Sequence, residues 1–131
     1  MHRPFLRLGS LFAGLGIVLG AFGAHGLERV LDADQLATFE TGVRYQMYHA
    51  LGLLLLAILY APFKQAKALR RAGQLFTAGI LCFSGSIYLL ACRELLGLEN
   101  WTWLGPITPI GGTFFIVGWG LVFWTSFKKI K

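Results

Sequence analysis

The chain has 131 residues, of which 56% are hydrophobic and only 14% are charged. Because charged residues make up about 25% of ordinary soluble domains, this composition argues against a soluble protein, and the length allows one domain. The net charge of +6 is compatible with nucleic-acid binding in general. Here the distribution of the basic residues gives another explanation, and we expect no nucleic-acid partner.

Long stretches of the chain contain no Asp, Glu, Lys or Arg. A membrane-spanning helix needs about 20 mostly apolar residues, and four stretches reach that length. We therefore predict an all-α fold, an integral membrane four-helix bundle that forms one domain over residues 1–131. The predicted spans are approximately 8–25, 45–63, 72–92 and 107–127.

The basic residues are concentrated on one side of this scheme. The other side carries all six acidic residues and only three arginines. Positively charged loops stay in the cytoplasm and can anchor the protein to anionic lipid, so both termini are predicted to be cytoplasmic. The nine residues that carry this prediction are Arg3, Arg7, Lys64, Lys67, Arg70, Arg71, Lys128, Lys129 and Lys131.

The first span ends in the most distinctive stretch of the sequence, residues 20–26. Small residues spaced by four let a neighbouring helix approach closely, which predicts packing contacts in this span. These residues are Gly16, Gly20 and Ala24, together with Gly23. His25 lies at the predicted helix end, where it either caps the helix or belongs to a functional site.

Asp32 and Gln35 in the first outer linker have the spacing of a capping box, in which each side chain bonds the other residue's amide. We predict a short amphipathic helix on the outer surface, which runs into the second span or bends into it at Gly42. Tyr45 and His49 share a face of that span. Polar groups at such depth need partners.

The third and fourth spans also carry small and polar residues. In the third span, Gly85 is a predicted packing position, and the neighbouring polar side chains serve either helix packing or a site. In the fourth span, Thr108 followed by Pro109 is typical of a helix start. Gly112 is then a second predicted packing position.

The most unusual polar residues of the spans cluster on the outer side of this scheme. We predict that they converge on one outward-facing pocket. The candidate cluster is His25, Tyr45, His49, Ser84, Ser86, Tyr88 and Thr108. No group of Cys, His or acidic residues has the spacing of a metal site, so we expect no metal.

Five ordered motifs resemble those of one family, the small membrane proteins known as domain of unknown function 423. The motifs are Gly-Ala-Phe-Gly-Ala-His-Gly at 20–26, Tyr-Gln-Met-Tyr-His-Ala at 45–50, Phe-Ser-Gly-Ser-Ile-Tyr at 83–88, Ile-Thr-Pro-Ile-Gly-Gly at 107–112 and Gly-Trp at 118–119. The family includes bacterial inner-membrane proteins and the animal transmembrane protein 256. The resemblance implies a four-span protein of the bacterial inner membrane and no established activity.

Three functional hypotheses remain. The first is a non-enzymatic scaffold, assembly factor or accessory subunit, whose partners are the lipid bilayer and a larger membrane complex or further copies of the chain. The second is transport of protons or small solutes by an oligomer, with His25 and His49 handling the cargo. The third is binding of a quinone, or of a haem held by the two histidines. Because no catalytic motif is present, we expect no enzyme activity and no cofactor.

Overall fold

The computed structural model describes residues 1–63 and 67–129, and every regular element in those ranges is helical. The elements are α1 (Arg3–His25), a 3₁₀ turn (Leu27–Arg29), α2 (Ala33–Leu59), α3 (Lys67–Gly79), a π-helical segment (Ile80–Ser84), α4 (Gly85–Ala91), α5 (Arg93–Leu96) and α6 (Leu104–Ser126). The elements α3, π segment and α4 follow one another without a break and form a third long helix, Lys67–Ala91, called the third span below.

Four helical stretches are long and apolar enough to cross a bilayer, namely Arg3–Arg29, Ala33–Leu59, Lys67–Ala91 and Leu104–Ser126. The shortest has 23 residues and is therefore about 35 Å long, enough for a hydrocarbon core of about 30 Å. Large apolar side chains such as Ile17, Ile58 and Ile116 are exposed on the outside of the bundle. The predicted all-helical architecture with four spans is confirmed.

The helix α2 and the third span form the centre of the bundle. The helix α1 packs along α2, and α6 packs along the third span. A core cluster that includes Phe5, Leu53, Leu56, Phe76 and Phe115 fills one half of the bundle. A smaller cluster formed around Leu27, Leu31, Phe39, Ala91 and Cys92 fills the half next to the 27–32 linker.

The capping box forms as predicted at the start of α2. The Gln35 amide donates to Asp32 Oδ1 at 2.8 Å, and the Asp32 amide donates to Gln35 Oε1 at 3.0 Å. The predicted short amphipathic helix is not a separate element, because residues 33–44 form the first three turns of a continuous α2. Gly42 does not bend the helix, and its missing side chain instead makes room for Tyr88 and Ile87.

The fourth helix begins one turn earlier than predicted. The helix α6 starts at Leu104, and Thr108 and Pro109 lie inside it. Pro106 falls in the first turn, where a helix needs no amide donor, so the chain can begin the helix before it. Thr108 therefore does not cap the helix and is free to bond a neighbouring one.

The predicted packing glycines divide into two groups. Gly16, Gly20 and Gly23 face side chains of α2, whereas Ala24 is exposed and lies outside that contact. Gly85 faces open space, which contradicts its predicted packing role. A side chain at Gly112 would make only ordinary contact with Phe83, while its neighbour Gly111 lies directly against the Phe83 backbone.

Seven of the ten basic residues that the structure describes lie at one end of the bundle, and Arg29, Arg44 and Arg93 lie at the other. The His2 amide bonds the Ala57 carbonyl at 2.9 Å, so the start of α1 lies beside the end of α2. Gly118 lies against Phe76, which brings the last turns of α6 to the first turns of α3. The exposed basic residues at this end are Arg3, Arg7, Lys67, Arg70, Arg71, Lys128 and Lys129. Lys64 and Lys131 lie outside the described residues.

Candidate functional site

A cleft of about 740 Å³ lies between α2 and α6. Both helices pack on the third span, and large side chains of α2 and α6 line the gap between them. The lining residues are Tyr45, Tyr48 and His49 from α2, Phe83 from the π segment, and Gly112, Phe115, Ile116 and Trp119 from α6. The volume falls within the range of about 300–1,000 Å³ that is usual for small-molecule sites.

His49 forms the inner wall of this cleft and is only 4% exposed. Its Nε2 accepts the indole N–H of Trp119 at 3.0 Å. Its Nδ1 lies 2.7 Å from the Tyr45 carbonyl, which can only accept a proton. The two bonds together require the neutral imidazole with its hydrogen on Nδ1. Phe115 covers one face of the ring, with centroids 3.5 Å apart and planes 9° apart.

The hydrogen bonds of His49 leave neither ring nitrogen free. A haem iron or another metal would have to displace Trp119 from Nε2, and a proton relay would have to break one of the two bonds. The geometry therefore suits an imidazole that joins two helices and presents an apolar wall. This chemistry differs from that of an axial ligand or a proton carrier.

His25 is not part of the same site. It is exposed at the end of α1, and Gly23 two residues earlier lies against Phe39 of α2. In this antiparallel pair His25 is level with Ala37, twelve residues before His49 in α2. At 1.5 Å per residue, the two histidines are about 18 Å apart along the helix axis, too far to share a ligand atom.

A second polar network joins three spans on another side of α2. The Tyr88 hydroxyl donates to Gln46 Oε1 at 2.6 Å, and Gln46 Nε2 donates to the Phe12 carbonyl at 2.8 Å. One turn away, Ser84 donates to the Gly42 carbonyl at 2.7 Å. These bonds connect α1, α2 and the third span.

Ser86 and Thr108 form a third, separate pair between α4 and α6, with hydroxyl oxygens 2.6 Å apart. Ser86 has one hydroxyl hydrogen, which it donates to the Phe83 carbonyl at 3.0 Å, so Thr108 is the donor in the pair. The predicted single polar cluster is therefore divided among three hydrogen-bonded groups. Within the described residues, no buried side-chain polar atom is left without a partner.

Six residues whose side chains line the cleft or join its networks were not among the predicted site residues. They are Gln46, Tyr48, Phe83, Phe115, Ile116 and Trp119. Gln46 is a lone amide within a charge-free stretch, a signal that the sequence does carry. The role of Trp119 depends on how α6 is rotated, which sequence patterns do not reveal. In the described part of the chain, no group of His, Cys, Asp and Glu is arranged to hold a metal ion.

A family model described as "Protein of unknown function (DUF423)" matches residues 19–112. The chain belongs to this family. The DUF423 match covers the end of α1, all of α2 and the third span, and the part of α6 that includes Gly112.

Full-length relatives support the same assignment. The chain is 42% identical over 128 residues to the UPF0382 membrane protein YwdK of Bacillus subtilis, covering 98% of this chain and 99% of the relative. It is 43% identical over 126 residues to the UPF0382 membrane protein SSP2132 of Staphylococcus saprophyticus, covering 96% and 98%. It is also 39% identical over 129 residues to a UPF0382 membrane protein of Haemophilus influenzae, covering 98% of both chains. No solved structure matches the chain.

Proposed function

We propose that this membrane protein is a non-enzymatic accessory or assembly component of a larger membrane complex, and that it works by binding an apolar molecule of the bilayer in the α2–α6 cleft. The observation that carries the proposal is the cleft itself. It is concave, about 740 Å³ in volume, and walled almost entirely by aromatic and aliphatic side chains.

The cleft is open to the lipid around the bundle. Ile116 is 74% exposed and Tyr48 is 54% exposed, and these residues lie on opposite helices that line it. A molecule dissolved in the hydrocarbon can therefore enter from the side. Because contacts between apolar groups bring no hydrophobic gain inside a bilayer, such binding depends on shape and on close van der Waals contact.

Proton transport through His49 and haem binding between the two histidines have less support. Proton transport needs a histidine that can take up and release protons, and both nitrogens of His49 are held by Trp119 and the Tyr45 carbonyl. A haem between two histidines needs them close together, and His25 and His49 are about 18 Å apart along the bundle.

The binding proposal can be tested with two matched variants in α6. Gly112 lines the cleft, so Gly112→Leu places a side chain in it. Gly120 faces open space and is not among the residues that line the cleft, so Gly120→Leu is the control. Protein is purified from native membranes in mild detergent, and bound small molecules are extracted and measured by mass spectrometry.

We expect one lipid-soluble compound to copurify in near-stoichiometric amount with the wild type and with Gly120→Leu, and several-fold less of it with Gly112→Leu. Equal amounts in all three proteins, or no compound enriched over bulk lipid, would overturn the proposal. The accessory role is tested by native electrophoresis of the same preparations. A larger assembly with a second polypeptide is expected, and a chain that always migrates alone would contradict that role.

We also propose that both termini face the cytoplasm from a bacterial inner membrane. Seven of the ten basic residues that the structure describes lie at the same end of the bundle as the two termini, and positively charged segments stay in the cytoplasm. In a chain with Cys82→Ser and Cys92→Ser, single cysteines at Glu99 and at Lys128 report the two ends. A membrane-impermeant maleimide should label the cysteine at 99 in intact cells and leave the one at 128 unlabelled. The reverse pattern would overturn the orientation.

A further inference from the structure

We infer that the occupant of the α2–α6 cleft is a quinone-class compound, a flat ring with carbonyl oxygens and a hydrocarbon tail. This inference rests on the proposed function, since it names the molecule that the cleft would bind. It draws on three features of the cleft, namely its length, its aromatic lining and its two phenols.

The cleft is too short for a transmembrane helix. On α6 it extends from Gly112 to Trp119, seven residues or about 10 Å. The hydrogen bond between Trp119 and His49 joins α6 to α2 at its inner end. A partner helix that crosses a hydrocarbon core of about 30 Å could lie in the cleft for only a third of its length, because the Trp119–His49 bond closes the cleft there. A compact ring fits the available length.

The lining of the cleft is suited to a flat ring. Tyr45, Phe83 and Phe115 form a connected aromatic surface, with Tyr45 and Phe83 centroids 4.8 Å apart and Phe83 and Phe115 centroids 5.5 Å apart. Trp119 continues this surface towards the inner end. Aromatic groups prefer stacked or edge-to-face partners at centroid distances of about 4.5–7 Å, so a planar ligand gains contacts that a saturated chain does not.

The lining of the cleft includes two phenols. Tyr45 and Tyr48 line it from α2, with rings 5.8 Å apart in an edge-to-face arrangement. Neither phenol has a hydrogen-bond partner among residues 1–63 and 67–129, whereas the buried Tyr88 hydroxyl is paired with Gln46. A phenol donates well to a carbonyl oxygen, which a quinone supplies and an acyl chain in the hydrocarbon does not.

The open side of the cleft accounts for the tail. Ile116 and Tyr48 are exposed towards the lipid, so a hydrocarbon tail attached to the bound ring can extend into the bilayer. The chemistry that the cleft recognises is therefore a ring with acceptor oxygens and one long apolar substituent. We propose binding only, and no electron transfer is included.

The test uses Trp119 as a fluorescent reporter. Trp101, Trp103 and Trp124 are exposed, so the variant W101F/W103F/W124F keeps Trp119 as its sole indole. This protein is placed in lipid nanodiscs and titrated with decylubiquinone, because quinones quench indole fluorescence on contact. A parallel preparation uses phospholipids with brominated acyl chains, which quench only where a chain reaches the indole.

We expect saturable quenching by decylubiquinone that persists after Gly120→Leu and is lost after Gly112→Leu. The pair Tyr45→Phe and Tyr48→Phe removes two hydroxyls that have no protein partner, so the fold should be unaffected. Loss of the two hydrogen bonds should raise the half-saturation concentration by about 5- to 150-fold.

Two outcomes would overturn the inference, and they differ in what they say of the proposed function. Trp119 is 41% exposed, so bulk lipid also reaches it. Quenching by brominated lipid that is stronger in the Gly120→Leu protein than in the Gly112→Leu protein, and that decylubiquinone does not relieve, would identify an acyl chain as the occupant, so the cleft would still bind a bilayer molecule. Quenching that rises linearly with quinone content and is equal in the Gly112→Leu and Gly120→Leu proteins would show that the quinone only partitions into lipid. The copurification measurement would then decide whether the cleft binds another bilayer molecule.

Discussion

Trp119 of α6 donates its indole N–H to Nε2 of His49 of α2 at 3.0 Å, and this bond joins two helices that otherwise pack on the third span. It also fixes the neutral form of the imidazole, because Nδ1 must then donate to the Tyr45 carbonyl. His49 therefore has a structural role, because it joins α2 to α6. The cleft lies beside this bond.

Removing the indole donor should destabilise the bundle. In Trp119→Phe the buried Nε2 of His49 loses its partner, which should lower the free energy of unfolding by about 1–3 kcal/mol. The control is Trp124→Phe, the same change at a position 65% exposed on the same helix, with an expected effect within about 0.5 kcal/mol. Unfolding by heat or by denaturing detergent measures both. Equal effects of the two changes would contradict the role given to the Trp119 bond.

The Gln46–Tyr88 bond should appear as an energetic coupling between spans. Gln46→Leu and Tyr88→Phe each break the 2.6 Å bond, so the double variant should lose less stability than the sum of the single changes. Hydrogen bonds between membrane helices suggest a coupling of about 0.6–1.7 kcal/mol. The control combines Gln46→Leu with Thr113→Ala, because exposed Thr113 bonds only its own helix. That pair should be additive, and additivity of Gln46 with Tyr88 would refute the coupling.

Two glycines of α6 should respond in opposite ways to alanine. A Cβ at Gly111 would overlap the backbone of Phe83, so Gly111→Ala should cost about 1–3 kcal/mol as the third span is pushed away. Gly120 faces open space, and Gly120→Ala should be neutral or stabilise the helix by up to about 1 kcal/mol. Thermal unfolding of the two variants beside the wild type decides the matter. A tolerated alanine at 111 would mean that α6 does not approach the π segment this closely.

Stability should fall in mild acid because of His2. Its Nδ1 accepts the Phe5 amide at 3.3 Å and caps α1, and this bond requires the unprotonated ring. Burial, followed by the charges of Arg70 and the amino terminus, lowers the pKa of His2 from 6.5. The unfolded chain therefore binds more protons just below that value, so stability present above pH 6.5 is lost as the pH falls towards the lowered pKa.

The variant His2→Asn isolates this effect. Asparagine also caps helices and does not titrate, so the melting temperature of the variant should depend less on pH between 7 and 5 than that of the wild type. The difference between the two profiles removes contributions from the other histidines. Parallel profiles would show that His2 does not contribute to the acid sensitivity.

Some local features could be predicted because neighbouring residues suffice to form them. The capping box of Asp32 and Gln35 needs only a spacing of three residues at a helix start, and it forms as predicted. The predicted start of α6 at residue 107 was wrong for a related reason. Thr108 and Pro109 do match a helix start, but Pro106 and Leu104 match one too, and the earlier start prevailed.

The candidate site was harder to predict because it depends on helix rotation. Tyr45 and His49 do line the cleft, but their partners Phe115 and Trp119 come from a helix whose sequence is apolar on every side. Gly85 and Ala24 have the residue type of packing positions, yet a side chain at Gly85 would meet no neighbouring atom and Ala24 is exposed. Residue type alone does not reveal which side of a helix meets a neighbour when the surrounding solvent is also apolar.

By itself the sequence determined four helices that can cross a membrane, with most of the basic residues at one end of the bundle. This was possible because each ionised side chain placed in hydrocarbon raises the free energy independently of how the neighbouring helices are arranged. Only the tertiary structure decided which polar groups meet, that His25 and His49 lie apart, and that an aromatic cleft opens between α2 and α6. Those outcomes depend on the rotation and depth of each helix, which are set by close contacts such as that of Gly111 with Phe83.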